Sequence, residues 1–479
     1  NNNNNNNNNK EQFPVYNPAT NEIIAYYPKL KLEDIQPCEE ISFNTWKIWK
    51  NTTTKERSKI LRKMSDLMHH YIDDLAHIIT IEAGKPLAEA RGEVLYAASF
   101  FEFYGEEAKR IYGDIIPPII HGRKYLTIKQ PVGPAAMITP WNFPSAMITR
   151  KLAPALAAGC TATIKPAEET PLSAFAICAI ANEAGLPPGV LNVVTVARED
   201  VQSIGKHFCN SHLYRKISFT GSTNVGKWLM QESASTVKKL SLENGGNAPF
   251  IVFDDADLEL AVKAVLAAKF RNAGQTCVCA NRIFVQDSIY DKFADMLTEK
   301  VSAYRCGNGL HSSTTMGPLI NRAGLEKTKR HVEDCVSKGA IVRCGGHEHY
   351  ELNKNGGNFF VPTVLTEVTP AMKPYYEETF GPIAPLFRFK TDKEAIQLAN
   401  DTRAGLAGYA CTSNLSRAFH VAEALECGLV GINEGAISNE VIPFGGMKES
   451  GIGREGGRQG IDAFVETKYI NITTDVAVY

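Results

Sequence analysis

Residues 162–194, ATIKPAEETPLSAFAICAIANEAGLPPGVLNVV, contain a strand, a helix and a second strand in succession. Short apolar and β-branched runs at 162–164 and 190–194 predict the two strands. The stretch 171–184 predicts a helix that ends at Gly185, with two prolines just beyond it. Strands that alternate with helices are typical of parallel βαβ units. This stretch therefore predicts an α/β fold.

The same alternation extends in both directions along the chain. The predicted elements are strands at 135–138, 216–219, 250–253 and 282–285 and helices at 258–271 and 288–304, after a helical pattern over about 33–113. A glycine- and proline-containing joint at 244–249 separates two series of elements. We therefore predict two α/β domains that meet near residue 246.

Composition excludes several classes of protein. The chain has 479 residues, of which 44% are hydrophobic, so it can bury the cores of two to four domains. Its net charge of -1 and the absence of long basic blocks argue against nucleic acid and anionic membranes as partners. The longest apolar run, 152–164, is shorter than the roughly 20 residues of a membrane span. We expect a soluble protein.

The cysteines and the first residues bear on the compartment. Eleven cysteines without the dense spacing of a disulfide scaffold predict a reducing compartment, the cytoplasm or the mitochondrial matrix, and free thiols. Residues 1–9 are all asparagine, a polar low-complexity run that is typical of a disordered tail. The chain does not begin with Met, which is compatible with removal of a targeting peptide.

Two glycine-containing turns are candidates for a phosphate site. In 219–226, FTGSTNVG, a strand turns through Gly221 into a helix that begins near Ser222, and free amides at such a helix start can bind pyrophosphate. An ordinary N-cap turn explains the same residues equally well. A formal G-x-G-x-x-G at Gly451, Gly453 and Gly456 lacks a preceding strand and a following βαβ unit, so it does not predict a dinucleotide site.

A thiol and a carboxylate lie at turns between predicted elements. Cys277, in GQTCVC after the helix that ends near 271, is a candidate nucleophile, with a buried core cysteine or half of a metal site as alternatives. A lone C-x-C has no second ligand pair at a usual spacing, so we predict no metal. Glu243, in the joint between the domains, is a candidate general base or simply a solvated carboxylate. The segments 139–144 and 165–168 follow strand ends, where open α/β sheets bind ligands.

Taken in order, these segments resemble the aldehyde dehydrogenase superfamily from about residue 14 to the C-terminus. The matching motifs are PWNFP at 140–144, KPAE at 165–168, FTGST at 219–223, Glu243 with GG at 245–246, GQTC at 274–277, ETFGP at 378–382 and PFGG at 443–446. One departure is Asn244, where the superfamily usually has leucine. The resemblance leaves the positioning of the cofactor near Asn244 open.

The resemblance implies a catalytic set and a cofactor site. Cys277 attacks the aldehyde, the Asn142 amide and the Cys277 backbone N–H hold the oxyanion, and Glu243 activates the water that hydrolyses the thioester. The implied cofactor residues are Thr139, Trp141, Lys165, Glu168, Gly221, Ser222, Glu378 and Phe380. A carboxylate at Glu168 accepts hydrogen bonds from a ribose 2′-hydroxyl and repels a 2′-phosphate, which favours NAD while leaving NADP possible.

Within the superfamily, 141–150, 269–281 and 433–438 resemble the succinate-semialdehyde dehydrogenases. A semialdehyde with a distal carboxylate needs cationic donors, and the resemblance assigns Arg150 and Arg271, with the Ser438 hydroxyl. A salt bridge is the alternative for either arginine. The implied reaction is oxidation of succinate semialdehyde to succinate; another semialdehyde such as glutarate semialdehyde, a redox-inactive binding protein and a thiol hydrolase are the alternatives.

The resemblance also implies a regulatory thiol and an oligomer. Cys279 resembles the partner with which some members of this subfamily form a reversible disulfide to the nucleophile, here Cys277; a small, partly buried residue is the alternative. The implied NAD-binding domain covers 10–121 and 140–246, the catalytic domain 247–444, and a small β oligomerisation extension 122–139 and 462–479. A homodimer or homotetramer is expected.

Overall fold

The computed structural model describes residues 11–473. The predicted disordered tail at 1–9 and the last residues of the predicted extension, 474–479, lie outside the described residues. The α-helices are Leu32–Trp49 (α1), Thr54–His70 (α2), Ile72–Ala83 (α3), Leu87–Glu107 (α4), Ala146–Ala158 (α5), Pro171–Glu183 (α6), Val201–Asn210 (α7), Thr223–Ser233 (α8), Leu258–Lys269 (α9), Tyr290–Ser302 (α10), Arg322–Ser337 (α11), Tyr350–Lys354 (α12), Lys373–Tyr376 (α13), Asp392–Asn400 (α14), Leu415–Ala424 (α15) and Gln459–Asp462 (α16).

The strands include every one that the alternation predicts. They are Gln12–Tyr16 (β1), Ile23–Pro28 (β2), Ile115–Ile116 (β3), Arg123–Pro131 (β4), Ala135–Ile138 (β5), Ala162–Lys165 (β6), Leu191–Val193 (β7), Lys216–Thr220 (β8), Lys239–Glu243 (β9), Ala248–Val252 (β10), Ala280–Gln286 (β11), Ile341–Cys344 (β12), Thr363–Thr366 (β13), Ile383–Phe389 (β14), Ala404–Gly405 (β15), Ala407–Cys411 (β16), Leu429–Ile432 (β17), Met447–Lys448 (β18), Gly451–Ile452 (β19) and Val465–Thr473 (β20). The α/β prediction is confirmed.

A six-stranded sheet forms the first α/β unit, with strand order β19-β9-β8-β5-β6-β7. All its pairs are parallel except β19 with β9. From β5 the chain winds one way to β6 and β7, and then returns to the other side of β5 for β8 and β9. The order therefore reverses between β5 and β8. In open α/β sheets ligands bind at such a reversal, outside the carboxyl ends of the strands.

A seven-stranded sheet forms the second unit, with strand order β12-β13-β14-β11-β10-β16-β17. Helix α9, which covers one of its faces, ends at Lys269 and not at the predicted Arg271. The physical reason is backbone conformation: Asn272 and Ala273 have φ of 52° and 54°, which no α-helix can continue. These residues form a tight turn that leads to Cys277.

A three-stranded antiparallel sheet, β20-β4-β3, stands apart from the two larger sheets. Strand β20 pairs with β4 along its whole length, from Val465 opposite Pro131 to Thr473 opposite Arg123. The predicted extension at 122–139 was too long: Ala135–Ile138 is the buried strand β5 of the six-stranded sheet. The chain changes sheets at Gly133, whose φ of 135° permits the bend.

The buried apolar side chains fall into separate cores. One core is built entirely from residues 248–444 and surrounds the seven-stranded sheet. Another joins helices α2 to α6 to strands β5 to β7, with a few residues near 461–465. This separation supports the predicted domain boundaries, which stay a prediction. No helix within residues 11–473 combines the length and the apolar character that a bilayer crossing requires.

Candidate active site

A cavity of about 360 Å³ lies where the strand order of the six-stranded sheet reverses. Its walls come from the loop after β5, the turn after β8, the joint after β9 and the turn before β11. Seven residues singled out from the sequence line it: Trp141, Asn142, Gly221, Ser222, Cys277, Glu378 and Phe380. Residues more than 200 positions apart in the chain therefore meet in one cleft between the two large sheets.

Cys277 is half-buried and lines this cavity. Burial raises the pKa of its thiol to about 12, while the positive charge of Arg150 acts in the opposite direction. The backbone at Gly246 lies so close that a Cβ there would overlap the Cys277 carbonyl oxygen. The joint between the domains therefore packs directly on the loop that carries the thiol.

Asn142 lies beside this loop and is tied to it. Its side-chain Nδ2 donates to the Gln275 carbonyl at 3.0 Å, and its Oδ1 accepts from the Phe143 N–H at 3.1 Å. The Asn142 carbonyl in turn accepts from Asn272 Nδ2 at 2.9 Å. These bonds tie the Asn142 side-chain amide to the loop that carries Cys277, and both residues line the same cavity.

Glu243 ends strand β9 and is only 2% exposed. Neither of its carboxyl oxygens has a hydrogen-bond partner among the residues that the structure describes. Burial, and next the negative charge of Glu455, raise the pKa of Glu243 well above its usual value. A buried carboxyl without a partner is costly in a purely structural role, so this environment is typical of a group kept for proton transfer.

Glu378 and Phe380 shape the opposite wall. Glu378 Oε1 accepts from the Gly246 N–H at 3.0 Å, and burial raises the pKa of Glu378 to about 7. Phe380 has a φ of 56°, a strained conformation for a side chain of its size. Its ring meets Trp141 edge-on, with the ring centroids 5.5 Å apart. The strain is typical of a binding site that holds its residues in place.

The turn after β8 forms the predicted helix start. Ser222 is the N-cap of α8, and its side chain accepts from the Val225 N–H at 3.5 Å. The Gly221 N–H donates to the Glu243 carbonyl at 3.0 Å, which ties this turn to β9. Gly221 and the N-cap Ser222, at the start of an 11-residue helix, line the cavity, and a helix start is where an anionic group of a dinucleotide fits.

Three predicted cofactor residues lie outside this cavity, at the ends of β5 and β6. The Thr139 N–H donates to the Lys165 carbonyl at 3.2 Å. Lys165 Nζ donates to the Pro166 carbonyl at 2.8 Å and lies 3.5 Å from Glu168 Oε1. Glu168 lines an adjoining pocket that shares Ile320 and Asn321 with the first. The two pockets together form one groove along the strand ends.

The predicted substrate residues differ in burial and in whether they already have an ion-pair partner. Arg150 is 2% exposed and already paired: its Nη2 lies 2.8 Å from Glu455 Oε2, and its guanidinium covers the Phe444 ring. The salt bridge given as the alternative for Arg150 is therefore present, and its role in substrate binding stays a prediction. Arg271 is half-buried over the Phe143 ring, and no carboxylate of the described residues lies within 4.0 Å of its guanidinium. Ser438 is half-buried in the loop after β17.

Cys279 is buried and, like Cys277, is a free thiol. Its Sγ contacts the Lys269 carbonyl at 3.5 Å, and burial raises its pKa. No sequence pattern predicted a role for Lys327, which lines the cavity, or for Glu455, whose carboxylate joins Arg150 and Lys151. Lys327 lies in α11, and Glu455 lies between Gly453 and Gly456 of the glycine pattern that predicted no site, so only the tertiary structure shows their place at the site.

Comparison with known proteins agrees with this site. The aldehyde dehydrogenase family profile matches residues 5–470. The NADP(+)-dependent succinate-semialdehyde dehydrogenase of Escherichia coli is 52% identical over 462 residues, 96% of this chain and 94% of its own. A glutarate-semialdehyde dehydrogenase of Pseudomonas putida is 54% identical over 459 residues, with coverage of 96% and 94%. A solved structure of an NADP-dependent E. coli enzyme superposes with a TM-score of 0.95 at 52% identity, over 97% of this chain and 95% of the other. The chain belongs to the aldehyde dehydrogenase family.

Proposed function

We propose that the protein oxidises a short semialdehyde with a distal carboxylate, succinate semialdehyde, to the dicarboxylate. Aldehyde, NAD(P)⁺ and water give carboxylate, NAD(P)H and two protons. The observation that carries the proposal is the half-buried Arg271, which lies over the Phe143 ring, next in the chain to Asn142 of the cavity, and forms no ion pair with a described residue. A cation left without a carboxylate in such a place is suited to an anionic substrate.

In the first half of the reaction, the Cys277 sulfur bonds to the aldehyde carbon, and the thiol proton passes to solvent water. The carbonyl oxygen becomes an oxyanion, which the Asn142 amide and the Cys277 backbone N–H stabilise. Burial keeps the thiol protonated at rest. The positive charge of Arg150 stabilises the thiolate when it forms, because this charge lowers the pKa of Cys277. Loss of hydride from the thiohemiacetal carbon leaves a thioester on Cys277.

In the second half, Glu243 accepts a proton from water as the water oxygen attacks the thioester carbon. The carbon–sulfur bond breaks, the acid leaves, and the thiol is restored. The raised pKa of Glu243 makes it a stronger base than an exposed carboxylate once it is deprotonated. Its position at the end of β9, beside the joint between the domains, supports this role.

The residues of the groove fit a nicotinamide dinucleotide, which when bound accepts the hydride. The α8 N-terminus suits the pyrophosphate, and Glu378 suits a ribose hydroxyl. We expect Glu168 to favour NAD over NADP, because a carboxylate repels a 2′-phosphate. Comparing kcat/KM for the two cofactors, with Glu168→Ser as the variant, tests this point: the variant gains NADP use if the assignment holds.

Substrate choice is tested by steady-state kinetics on Arg271→Gln and on the parent protein. With succinate semialdehyde we expect the variant to lose about 10²-fold in kcat/KM, since a charged hydrogen-bonded pair is lost. With butanal, an uncharged aldehyde of the same length, we expect both proteins to give similar values. Equal kcat/KM for the two aldehydes in the parent contradicts the role of Arg271. Higher kcat/KM for glutarate semialdehyde selects the longer substrate, as in the P. putida relative.

The thiol pair and the extension complete the proposal. We expect peroxide to inactivate the protein through a Cys277–Cys279 disulfide, dithiothreitol to restore it, and Cys279→Ala to abolish the recovery that a disulfide provides. Inactivation and recovery that are unchanged in Cys279→Ala contradict the disulfide between Cys277 and Cys279.

We expect the exposed β20-β4-β3 sheet to join subunits in a dimer or tetramer, and light scattering of a variant lacking residues 465–479 tests this.

A further inference from the structure

Helix α4 and the turn before it carry charged side chains that no motif singles out. The segment 82–93, EAGKPLAEARGE, runs from the end of α3 into α4. Lys85 and Glu93 are fully buried, and Glu89 is half-buried. Burying charges is costly unless they are paired and hydrogen-bonded. Each of these three side chains bonds to a loop of the candidate active site.

Lys85 reaches the loop that carries Asn142. Gly84 ends α3 in a left-handed conformation, and Lys85 then turns inward beneath the site. Its Nζ pairs with Glu93 Oε2 and donates to the Asn142 carbonyl at 3.1 Å. The same ammonium lies 3.8 Å from the centre of the Phe143 ring. The backbone of Asn142 and the ring after it are therefore held by a single cation.

Glu93 holds the other end of the same loop. Its Oε1 accepts from the Ser145 N–H at 2.9 Å and from the Ala146 N–H at 3.3 Å, at the start of α5. A carboxylate at a helix N-terminus satisfies amides that lack partners within the helix. Because Glu93 also pairs with Lys85, one ion pair fixes the loop both at Asn142 and at its entry into α5.

Glu89, one turn before Glu93, holds the loop that carries the nucleophile. Its Oε2 accepts from the Asn272 N–H at 2.8 Å. Asn272 and Ala273 adopt left-handed conformations, which are strained for residues other than glycine and persist only where the surroundings impose them. Asn272 Nδ2 then donates to the Asn142 carbonyl. The two loops are thus fastened both to α4 and to each other.

We propose that Lys85, Glu89 and Glu93, the α4 clamp, are positioning residues that set the Asn142 amide against Cys277. The inference rests on the proposed function. The alternative is that these three residues only stabilise the fold and do not affect the position of Asn142. Glu82 provides the matched control, because it is equally buried and accepts from the Leu172 and Ser173 N–H groups at the start of α6, away from both loops.

The first experiment measures single-turnover hydride transfer at 340 nm with saturating cofactor. We expect Lys85→Met to slow it at least about 10-fold, part of the roughly 10²- to 10³-fold that an oxyanion donor supplies. In an Asn142→Ala background the same change has less than about a 2-fold effect, because residues that act as a unit are not additive. Glu82→Gln lowers Tm without slowing hydride transfer. Equal slowing by Lys85→Met in both backgrounds, or slowing by Glu82→Gln, overturns the proposal.

Two further measurements cover the other outcomes. Glu89→Ala slows hydride transfer, whereas Glu89→Gln keeps an acceptor for the Asn272 N–H and has the rate of the parent protein. Equal rates of hydride transfer in Glu89→Ala and Glu89→Gln overturn the clamp, and this test holds even where Lys85→Met does not fold. A crystal structure of Glu89→Ala without substrate reports on position alone, whatever the reaction is. We expect the Asn142 side chain to shift by about 1 Å, a displacement large enough to matter for catalysis. An unmoved Asn142 overturns the clamp while leaving the proposed function intact.

Discussion

Burial sets the chemistry of the Cys277 thiol and the Glu243 carboxyl, because it favours the neutral form of each. The pKa of the thiol is raised to about 12 and that of the carboxyl is raised well above its usual value. The thiol is therefore protonated at neutral pH and has to lose its proton before it attacks, and the carboxyl keeps its proton to a higher pH than an exposed carboxyl does. This fits a nucleophile that is activated only when a substrate enters and a base that acts only once the thioester has formed.

At this scale we expect Glu243→Gln to separate the two halves of the reaction. Acylation of Cys277 continues, whereas hydrolysis falls by about 10²-fold, because the amide cannot accept a proton from water. A burst of NAD(P)H equal to the protein concentration is then followed by slow turnover. Mass spectrometry detects the acyl group on Cys277. Slow turnover without an acylated protein contradicts the role.

The pH profile provides a control for the same residue. A base with a raised pKa is protonated below that pKa, so hydrolysis in the parent protein slows as the pH falls through it. In Glu243→Gln this dependence disappears, while the pH dependence of acylation, which follows the Cys277 thiol, remains. Stopped-flow measurement of the burst and of the following phase distinguishes the two.

Among the elements, the two-residue strand β19 pairs with the end of β9 that carries Glu243. Gly451 lies opposite Glu243 and holds the end of β9. It has a φ of 138°, and a Cβ would overlap the Leu242 carbonyl oxygen. The three glycines at 451, 453 and 456 match a dinucleotide pattern, but the structure uses Gly451 to bring two chain segments into close contact. A glycine pattern therefore needs its structural context before it indicates a cofactor.

We expect Gly451→Ala to destabilise the protein by about 1–3 kcal/mol, because alanine cannot adopt this conformation without strain. The hydrolysis step slows as well, since β9 positions Glu243. Gly92→Ala is the matched control: Gly92 lies within α4, and a Cβ there meets no atom within 4 Å. That change stabilises the helix by up to about 1 kcal/mol. Denaturant unfolding measures both, and equal effects of the two changes contradict the role of β19.

For the whole molecule, the cavity between the two large sheets is lined by the Glu378 carboxyl, which affects the stability of the folded protein. Burial raises the pKa of Glu378 to about 7 in the folded protein, above its usual value of 4.5. A raised pKa means that the folded state binds the proton more tightly than the unfolded chain. This contribution to stability is therefore complete below about pH 4.5 and is lost as the pH rises through 7.

We expect the free energy of unfolding of the parent protein to fall more between pH 5 and pH 8 than that of Glu378→Gln, by more than about 1 kcal/mol. Glutamine keeps the acceptor for the Gly246 N–H but does not titrate. Glu423→Gln, at an exposed position on α15, is the control and leaves the parent profile unchanged. Parallel profiles of the parent protein and Glu378→Gln contradict the assignment.

The sequence by itself determined the elements and the family, because both depend on local patterns. Strands β5 to β8, helix α6 and the Ser222 helix start follow from short apolar runs, a glycine stop and a capping residue. The motifs around Asn142, Glu243 and Cys277 indicate the type of reaction, because they contain an amide, a carboxylate and a thiol in the order typical of the family. Local sequence misplaced the end of α9, where backbone strain at Asn272 decides, and the resemblance placed the boundary of the extension beyond Gly133.

Only the tertiary structure decided what surrounds these residues. The pairing of Arg150 with Glu455 joins residues 305 positions apart, so no local pattern predicts it. The same holds for the buried Lys85 beneath Asn142 and for Glu89 at the turn before Cys277. The physical reason is that burial and charge pairing depend on which distant segments fold together. The residue types indicate a reaction. Packing, in contrast, decides the pKa of each titratable group and the ion-pair partner of each charged side chain.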